Sequence, residues 1–266
     1  MKDLEKLSKN IRINALEMVN KANASHIASA LSIVDIMSVL YGSIMHYDVK
    51  NPSYKDRDRF ILSKGHGCVA VYSTLAEIGF INKEDLTTYG DDFSWLMNHI
   101  SHKVSGVEFS TGALGHGLPF GVGKSLAAKI QKKNYKTYVL LSDGEMDEGS
   151  NWEALMFAAH NRLDNLVAII DYNKLQSLDS IENTLGLEPL NSKLSAFGCQ
   201  VIEVDGHNTE EIKSALISPQ DKKPKVIIAH TVKGKGVSYM ENSVEWHYKS
   251  PSDEQLKEAL EEINNA

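Results

Sequence analysis

Apolar positions between residues 60 and 230 fall into short runs that are separated by amphipathic stretches. The runs occupy 60–62, 136–141, 165–171, 199–205 and 224–230. The intervening helical patterns end at Gly79, cover about 149–162, and begin near Ser192 and Thr209. Buried parallel strands that are joined by helices produce this alternation.

Two further helical patterns precede the first apolar run. Apolar residues recur at helical spacing over 4–20, and a second such pattern covers 32–41. No linker and no internal repeat divides the chain. We therefore predict one α/β domain over residues 1–266, with a mostly parallel sheet and helices on both faces.

Composition and charge narrow the class of protein. The 266 residues are 42% hydrophobic and 24% charged, as in ordinary globular proteins. The net charge of −7 argues against nucleic acid, which needs a basic surface. The charged amino terminus and the lack of a long apolar stretch predict no signal peptide, anchor or membrane span. Two distant cysteines outside any CxxC pattern predict buried, reduced thiols and a cytoplasmic protein.

An acidic turn follows the run at 136–141. The stretch "SDGEMDEGS" begins with Ser142 and leads into the helix predicted from Gly149. Asp143 ends one strand and Asn173 follows the next, so both should lie at the carboxyl edge of the sheet, where ligands bind. These two side chains and the carbonyl of Leu175 would suit Mg²⁺ beside a diphosphate, which the Gly144 N–H could hold.

The other acids of this turn receive different predictions. We expect Glu145 and Asp147 to face water and to favour the helix dipole at the start of the helix. Glu148 precedes Gly149 and an apolar helix, so it is a candidate for an interface.

The order of the motifs resembles a known family. "SDG" followed by "DYN" resembles the Gly-Asp-Gly and Asn-Asn motif of thiamine-diphosphate enzymes. The set as a whole resembles the amino-terminal half of transketolase and covers nearly the whole chain. It comprises "KANASHIASALSIVDIM", "LSKGHGCVAVY", "GVEFSTGALGHGLPFGVG", "SDGEMDEGSNWEA", "DYNKLQ", "DGHN", "TVKGKG" and "EWHY".

The resemblance implies a split enzyme, transferring a two-carbon ketol unit from a ketose, as a sugar or sugar phosphate, to an aldose. The chain is similar to the amino-terminal subunit, and the second subunit would carry the pyrimidine-binding and carboxy-terminal domains. That second subunit would supply the glutamate that protonates the cofactor's aminopyrimidine. Self-association into a dimer of heterodimers is also implied.

The resemblance also assigns residues to thiamine diphosphate and Mg²⁺. It implies that Mg²⁺ is held by Asp143, Asn173 and the Leu175 carbonyl. The implied cofactor contacts are Gly144, His66 and His247 at the diphosphate, Gly112 and Leu114 at the pyrimidine, and Asn173.

The resemblance implies catalytic roles for four histidines and one acid. The histidines implied around the reactive carbon and the donor sugar are His26, His66, His102 and His247. Imidazoles suit proton transfer to sugar oxygens near neutral pH. Glu148 would join a carboxylate network between paired active sites. We expect His160 and His207 only to bond the backbone, and no role is assigned to His99.

Four departures from the family pattern bear on the substrate. Ser142 and Tyr248 replace glycines, Ala24 stands in "ASHIAS" without the usual glycine before His26, and Lys103 follows His102 where proline is usual. Metal binding should survive these changes, and an unusual ketose would fit them.

Other functions compete with this interpretation. "GLPFGVGKS" differs from a P-loop by one residue in spacing, and "GHGLPF" lacks the third glycine of a dinucleotide fingerprint. The α-subunit of a 2-oxoacid dehydrogenase and a deoxyxylulose-phosphate synthase fragment remain alternatives, although "STGALGHG" and "EGSNWEA" favour transketolase. A non-catalytic assembly subunit with the same fold is the alternative from another class.

Overall fold

One parallel sheet organises the computed structural model, which describes residues 3–265. Within these residues five strands pair in the order β1-β2-β3-β5-β4, and every pairing is parallel. The strands are β1 (Arg59–Leu62), β2 (Thr137–Ser142), β3 (Leu166–Tyr172), β4 (Gln200–Asp205) and β5 (Lys225–His230). The predicted fold class is confirmed, and the strand bounds differ from the apolar runs by at most one residue.

Helices cover both faces of this sheet. They are α1 (Leu4–Ala22), α2 (Ile27–Leu31), α3 (Val34–Val39), α4 (Cys68–Ile78), α5 (Gly117–Ile130), α6 (Gly149–His160), α7 (Ile181–Thr184), α8 (Leu190–Ala196), α9 (Thr209–Ile217) and α10 (Asp253–Asn265). Local chemistry sets their ends. Asp3 caps α1 by accepting from the Lys6 N–H at 3.1 Å, and Gly79 ends α4 in the left-handed region, with φ of 95°.

Alternate residues of each strand feed two apolar cores. On β2, Tyr138 and Leu140 face the core that includes α1, α3 and α4. Val139 and Leu141 face the opposite core, which includes α5 and α6. Because side chains alternate along a strand, a sheet buried on both faces reads as a continuous apolar run.

The second amino-terminal pattern does not form one helix. It covers part of a broken unit in which α2 and α3 are followed by a π-helical turn at Leu40–Ile44. His26 precedes α2 with φ of 73°, a left-handed conformation that costs energy outside glycine. Apolar spacing alone could not reveal this break.

The structure also shows where the glycine-rich stretch and the two cysteines lie, and how apolar the helices are. The stretch that resembled a P-loop lies within α5, whose first residue is Gly117. Cys68 and Cys199 are free and buried, as predicted. Among residues 3–265, no helix combines the length and the apolar character needed to cross a membrane.

Candidate active site

A cavity of about 240 Å³ opens at the carboxyl edge of the sheet. Nine of the eleven predicted site residues line it: His26, His66, Gly112, Leu114, Asp143, Gly144, Asn173, Leu175 and His247. A larger cleft of about 590 Å³ is lined by Phe80, Phe93 and Trp95. That cleft has acids at its rim, but neither a buried cation nor a histidine cluster is among the described residues that line it. We therefore take the smaller cavity as the candidate active site, because of the side chains that line it and not because of its volume.

The predicted metal ligands lie together because β2 and β3 are neighbours. Asp143 follows β2 and is 1% exposed. Its carboxylate accepts from the Gly144 N–H at 2.8 Å and from the Lys174 N–H at 2.6 Å. Asn173 follows β3, and its Oδ1 accepts from the Leu175 N–H at 3.1 Å. Asp143, Asn173 and Leu175 therefore line the same cavity at this edge.

Burial strongly perturbs the Asp143 carboxylate. Desolvation, with the charge of Asp171 as the next cause, raises the pKa of Asp143 to about 7. A cation beside this carboxylate would favour its charged form. An oxygen-rich site of this kind therefore suits a hard divalent cation.

Asp171, at the end of β3, organises the groups around it. It is fully buried and accepts from Ser32 Oγ at 2.7 Å, from Lys64 Nζ at 2.6 Å and from Asn173 Nδ2 at 3.1 Å, and also from Thr231 Oγ1. Although burial opposes it, the Lys64 ammonium and these donors hold the pKa of Asp171 below its usual range. The amide of Asn173 is thereby oriented with its oxygen away from Asp171.

Two lysines for which the sequence predicted no role bring positive charge to the cavity. Lys64 and Lys233 are each 1% exposed and line it. Lys64 also donates to the Ser29 carbonyl at 2.7 Å. Lys233 Nζ lies 3.1 Å from the Leu175 carbonyl and 2.8 Å from the Gln176 carbonyl. Burial, with Lys64 next, lowers the pKa of Lys233 to about 8.

The sequence did contain a signal for both lysines. Lys64 follows β1 in "LSKGHG", and Lys233 follows β5 in "TVKGKG". Each therefore lies just beyond the carboxyl end of a parallel strand, at the edge where Asp143 and Asn173 were expected.

Histidines form one wall of the cavity. The His26 ring centroid lies 5.2 Å from that of His66, 5.0 Å from that of His247 and 5.9 Å from that of His99. The His26 N–H donates to the His247 carbonyl at 2.9 Å, which fixes their separation. Tyr248 stacks edge-on to His247 at 4.7 Å.

These histidines are neutral near pH 7. Burial, with His99 next, lowers the pKa of His26 to about 4, and burial, with Lys233 next, lowers that of His247 to about 3. Burial also lowers the pKa of His66 well below its ordinary value. Neutral imidazoles can both accept and donate protons at the reacting oxygens.

Two predicted residues are not brought to the cavity. His102 is exposed, and Ser110 Oγ holds both its N–H at 2.9 Å and its Nδ1 at 2.7 Å, which turns the ring away. His99, which had been given no role, lines the cavity instead. Glu148 is exposed at the start of α6. The roles predicted for His102 and Glu148 stay predictions.

The expectation that Glu145 faces water is wrong. Its side chain is fully buried, and it accepts from Ser63 Oγ at 2.5 Å and from the Gly115 N–H at 2.9 Å. The chain leaves β2 through a 3₁₀ turn, Gly144–Asp147, which points Glu145 inward towards two loops that no local pattern could place there. Glu145 therefore ties the loop of Gly112 and Leu114 to the acidic turn.

His207 bonds the backbone, as expected, but it also pairs with a carboxylate. Its Nε2 accepts from the Val232 N–H at 2.8 Å, and its Nδ1 lies 2.8 Å from Asp35 Oδ2. His160 is exposed at the last position of α6.

Comparison with known proteins gives one consistent match. Residues 4–263 match the family model described as "Transketolase, thiamine diphosphate binding domain". One subunit of the apulose-4-phosphate transketolase of Phocaeicola vulgatus is 45% identical over 263 residues, which are 98% of this chain and 94% of that protein. The 6-deoxy-6-sulfo-D-fructose transketolase subunit SqwG of Clostridium sp. MSTE9 is 39% identical, over 98% of this chain and 96% of its own length.

Full-length enzymes match over part of their length. Human transketolase is 35% identical over 98% of this chain but only 42% of its own length. The crystal structure of transketolase from Campylobacter jejuni superposes with a TM-score of 0.93 at 31% identity, again over 98% of this chain and 42% of that one.

Proposed function

Because the chain belongs to the transketolase family and matches its thiamine-diphosphate-binding domain, we propose that it is the cofactor-binding subunit of a split transketolase. In this proposal residues 1–266 form one domain. A second subunit with the pyrimidine-binding and carboxy-terminal domains completes the enzyme. Support comes from two relatives that match over 94% and 96% of their own lengths, each of which is named as one subunit of an apulose-4-phosphate transketolase.

One observation carries the proposal: the cavity combines groups for a metal, a diphosphate and proton transfer. Asp143 and Asn173 offer oxygen atoms to Mg²⁺, while Lys64 and Lys233 offer positive charge to phosphate oxygens. The neutral imidazoles stand beside them. A small cavity with convergent groups of this kind fits a charged cofactor better than a purely apolar ligand.

The donor set fits Mg²⁺ in particular. Among residues 3–265 there is no group of three His, Cys, Asp or Glu side chains that could hold a metal. The proposed ligands are one carboxylate, one amide and the Leu175 carbonyl. A hard cation that keeps water and phosphate oxygens in its shell needs few protein ligands.

When bound, thiamine diphosphate would supply the nucleophilic carbon and the electron sink for breaking a carbon–carbon bond. The chain itself would bind the diphosphate through Lys64, Lys233 and the backbone near Gly144. His26, His66 and His247 would take protons from and return them to the sugar oxygens. Gly112 and Leu114 would pack beside the pyrimidine.

The surface around the cavity suits a covering partner. Met97 is 54% exposed and lies two residues before His99, which lines the cavity. Leu178 is 82% exposed and directly follows Ser177, which also lines the cavity. Tyr248 lines the cavity and is 58% exposed. Large apolar side chains that cluster at a rim favour a protein interface. We assign this rim to the second subunit.

A second contact would account for self-association. Met156 and Phe157 are 58% and 47% exposed on α6, the helix that Glu148 precedes. We propose that this helix face pairs two copies of the heterodimer, which places Glu148 at the contact. The free, buried cysteines support a cytoplasmic location.

Two relatives carry names that specify unusual ketoses with an anionic group, a phosphate in one and a sulfonate in the other. We propose a ketose phosphate as the donor class for this chain, with an aldose as acceptor.

The experiment that tests the function pairs a site variant with a matched control. Asp143→Asn in the two-subunit complex should weaken Mg²⁺-dependent binding of thiamine diphosphate by at least about 100-fold, because it removes the only carboxylate of the ligand set. Asp164→Asn removes a partly exposed carboxylate that pairs with Lys129, and should bind as the wild type does. Calorimetry with Mg²⁺ and with a chelator measures both.

Equal affinity in Asp143→Asn and wild type would exclude the metal assignment. Absence of Mg²⁺-dependent binding in the wild-type complex would favour the non-catalytic assembly subunit. Ketol transfer by this chain alone would contradict the split-enzyme proposal.

A further inference from the structure

A second charged cluster lies outside the cavity and joins three distant parts of the chain. Arg12 lies on α1, Asp35 on α3, and His207 in the turn between β4 and α9. Asp35 Oδ2 lies 2.6 Å from Arg12 Nη2 and 2.8 Å from His207 Nδ1. All three side chains are mostly buried, with exposures of 11%, 10% and 13% for Arg12, Asp35 and His207.

The protonation of this cluster follows from its partners. The Val232 backbone nitrogen can only donate, so His207 Nε2 accepts from it. The ring proton of neutral His207 therefore lies on Nδ1 and is donated to Asp35. Although burial opposes it, the His207 hydrogen bond, followed by the charge of Arg12, holds the pKa of Asp35 below its usual range.

Both ends of the cluster hold one short segment of backbone. His207 binds the Val232 N–H, and Arg12 Nε donates to the Lys235 carbonyl at 3.3 Å. Lys233 lies between these two anchors. Its ammonium group crosses to the cavity, where it contacts the Leu175 and Gln176 carbonyls and lies 3.0 Å from His247 Nδ1.

We propose that His207 and Asp35 are positioning residues, which fix the 232–235 segment so that the Lys233 ammonium faces the cavity. They act through Lys233 and do not line the cavity themselves. Outer groups that orient a binding side chain can matter nearly as much as the side chain. The role of Lys233 towards a diphosphate rests on the proposed function, whereas its position does not.

The first test measures position without any cofactor. In protein carrying ¹³C-labelled lysine, the Lys233 Cε signal is assigned by its loss in Lys233→Arg. His207→Ala should shift this signal, because the anchor of Val232 is lost. His207→Gln, whose amide oxygen can accept from the same N–H, should restore it at least in part.

A matched control exists at the last residue of β5. His230 also pairs with a carboxylate, Glu203, at 2.8 Å, but lies 43% exposed and binds no backbone of the 232–235 segment. His230→Ala should leave the Lys233 signal unchanged. A Lys233 signal that stays at its wild-type position in His207→Ala would overturn the proposal, whether or not the protein binds cofactor.

The second test is a double-mutant cycle on binding of thiamine diphosphate with Mg²⁺ in the two-subunit complex. His207→Ala alone should weaken binding about 10-fold. In the Lys233→Met background, His207→Ala should add almost nothing, because both changes remove the same contact. Fully additive losses would show that His207 acts by another route and would contradict the proposal. A wild-type complex that does not bind would instead count against the proposed function, and the lysine signal would still decide this inference.

Discussion

One buried lysine begins β5 and another lies just beyond the end of this strand, and the two have different surroundings. Lys225 is the first residue of the strand, and Lys233 lies three residues beyond its end. Their exposures are 0% and 1%. Burial lowers the pKa of each to about 8. Burial and charge alone therefore do not distinguish them.

Their partners do distinguish them. Lys225 Nζ donates to the Ala215 and Ser218 carbonyls at 2.7 Å each and to Ser218 Oγ at 2.8 Å, all at the end of α9. It thus caps the carboxyl end of a helix, where a cation is favourable. Lys233 contacts carbonyls and an imidazole that line the cavity.

The comparison shows that a buried charge indicates function only when its partners also face a ligand. A lysine whose partners all belong to one helix end stabilises the fold. A lysine at the carboxyl edge of a parallel sheet meets the loops of several strands, which is where such sheets bind ligands.

The sharpest test of this comparison is Lys233→Met. We expect binding of thiamine diphosphate with Mg²⁺ to weaken about 100-fold, because hydrogen bonds from a charged group to the diphosphate are lost. The free energy of unfolding should change less than in Lys225→Met. Calorimetry and urea denaturation measure the two quantities. If Lys233→Met bound thiamine diphosphate as tightly as the wild type does, the functional distinction between Lys233 and Lys225 would be wrong.

Lys225→Met is the reciprocal change. It leaves carbonyls at the end of α9 without a partner, so the free energy of unfolding should fall by about 1–3 kcal/mol. Cofactor affinity in the folded complex should match the wild type. If stability were unchanged and binding were lost, the roles assigned to the two lysines would be reversed.

A smaller effect concerns pH and His247, which is 8% exposed. Burial lowers the pKa of the His247 imidazole to about 3 in the folded protein, from the ordinary value of 6.5 that applies to the unfolded chain. The unfolded chain therefore binds the proton more readily, and stability present above pH 6.5 is lost as the pH falls. Between pH 7 and 5, His247→Gln should lose about 1–2 kcal/mol less stability than the wild type.

Lys225→Met provides the contrast for this measurement. Lys225 titrates near pH 8, so its removal should not alter the change in stability between pH 7 and 5. Urea denaturation at both pH values checks the pair. Identical pH dependence in His247→Gln and wild type would show that the His247 imidazole is not held in its neutral form.

The sequence predicted those parts of the molecule that depend on local pattern. Apolar runs located the strands, and the spacing of Asp143 and Asn173 placed them at one edge because parallel strands end on the same side. The reach of Glu145 to Ser63 and Gly115 depends on loops distant in sequence. That His99 lines the cavity and His102 does not depends on how one loop folds around Ser110. No local sequence pattern predicts either the position of Glu145 or those of the two histidines.

The measurement that tests the central claim most directly is native mass spectrometry of the complex, purified from the cells that make it in the presence of Mg²⁺ and thiamine diphosphate. We expect this chain together with a second chain of roughly 300 residues, the size of two domains, and with bound thiamine diphosphate that is absent from Asp143→Asn. An assembly of this chain alone, without cofactor in wild type and variant alike, would contradict the split-enzyme proposal.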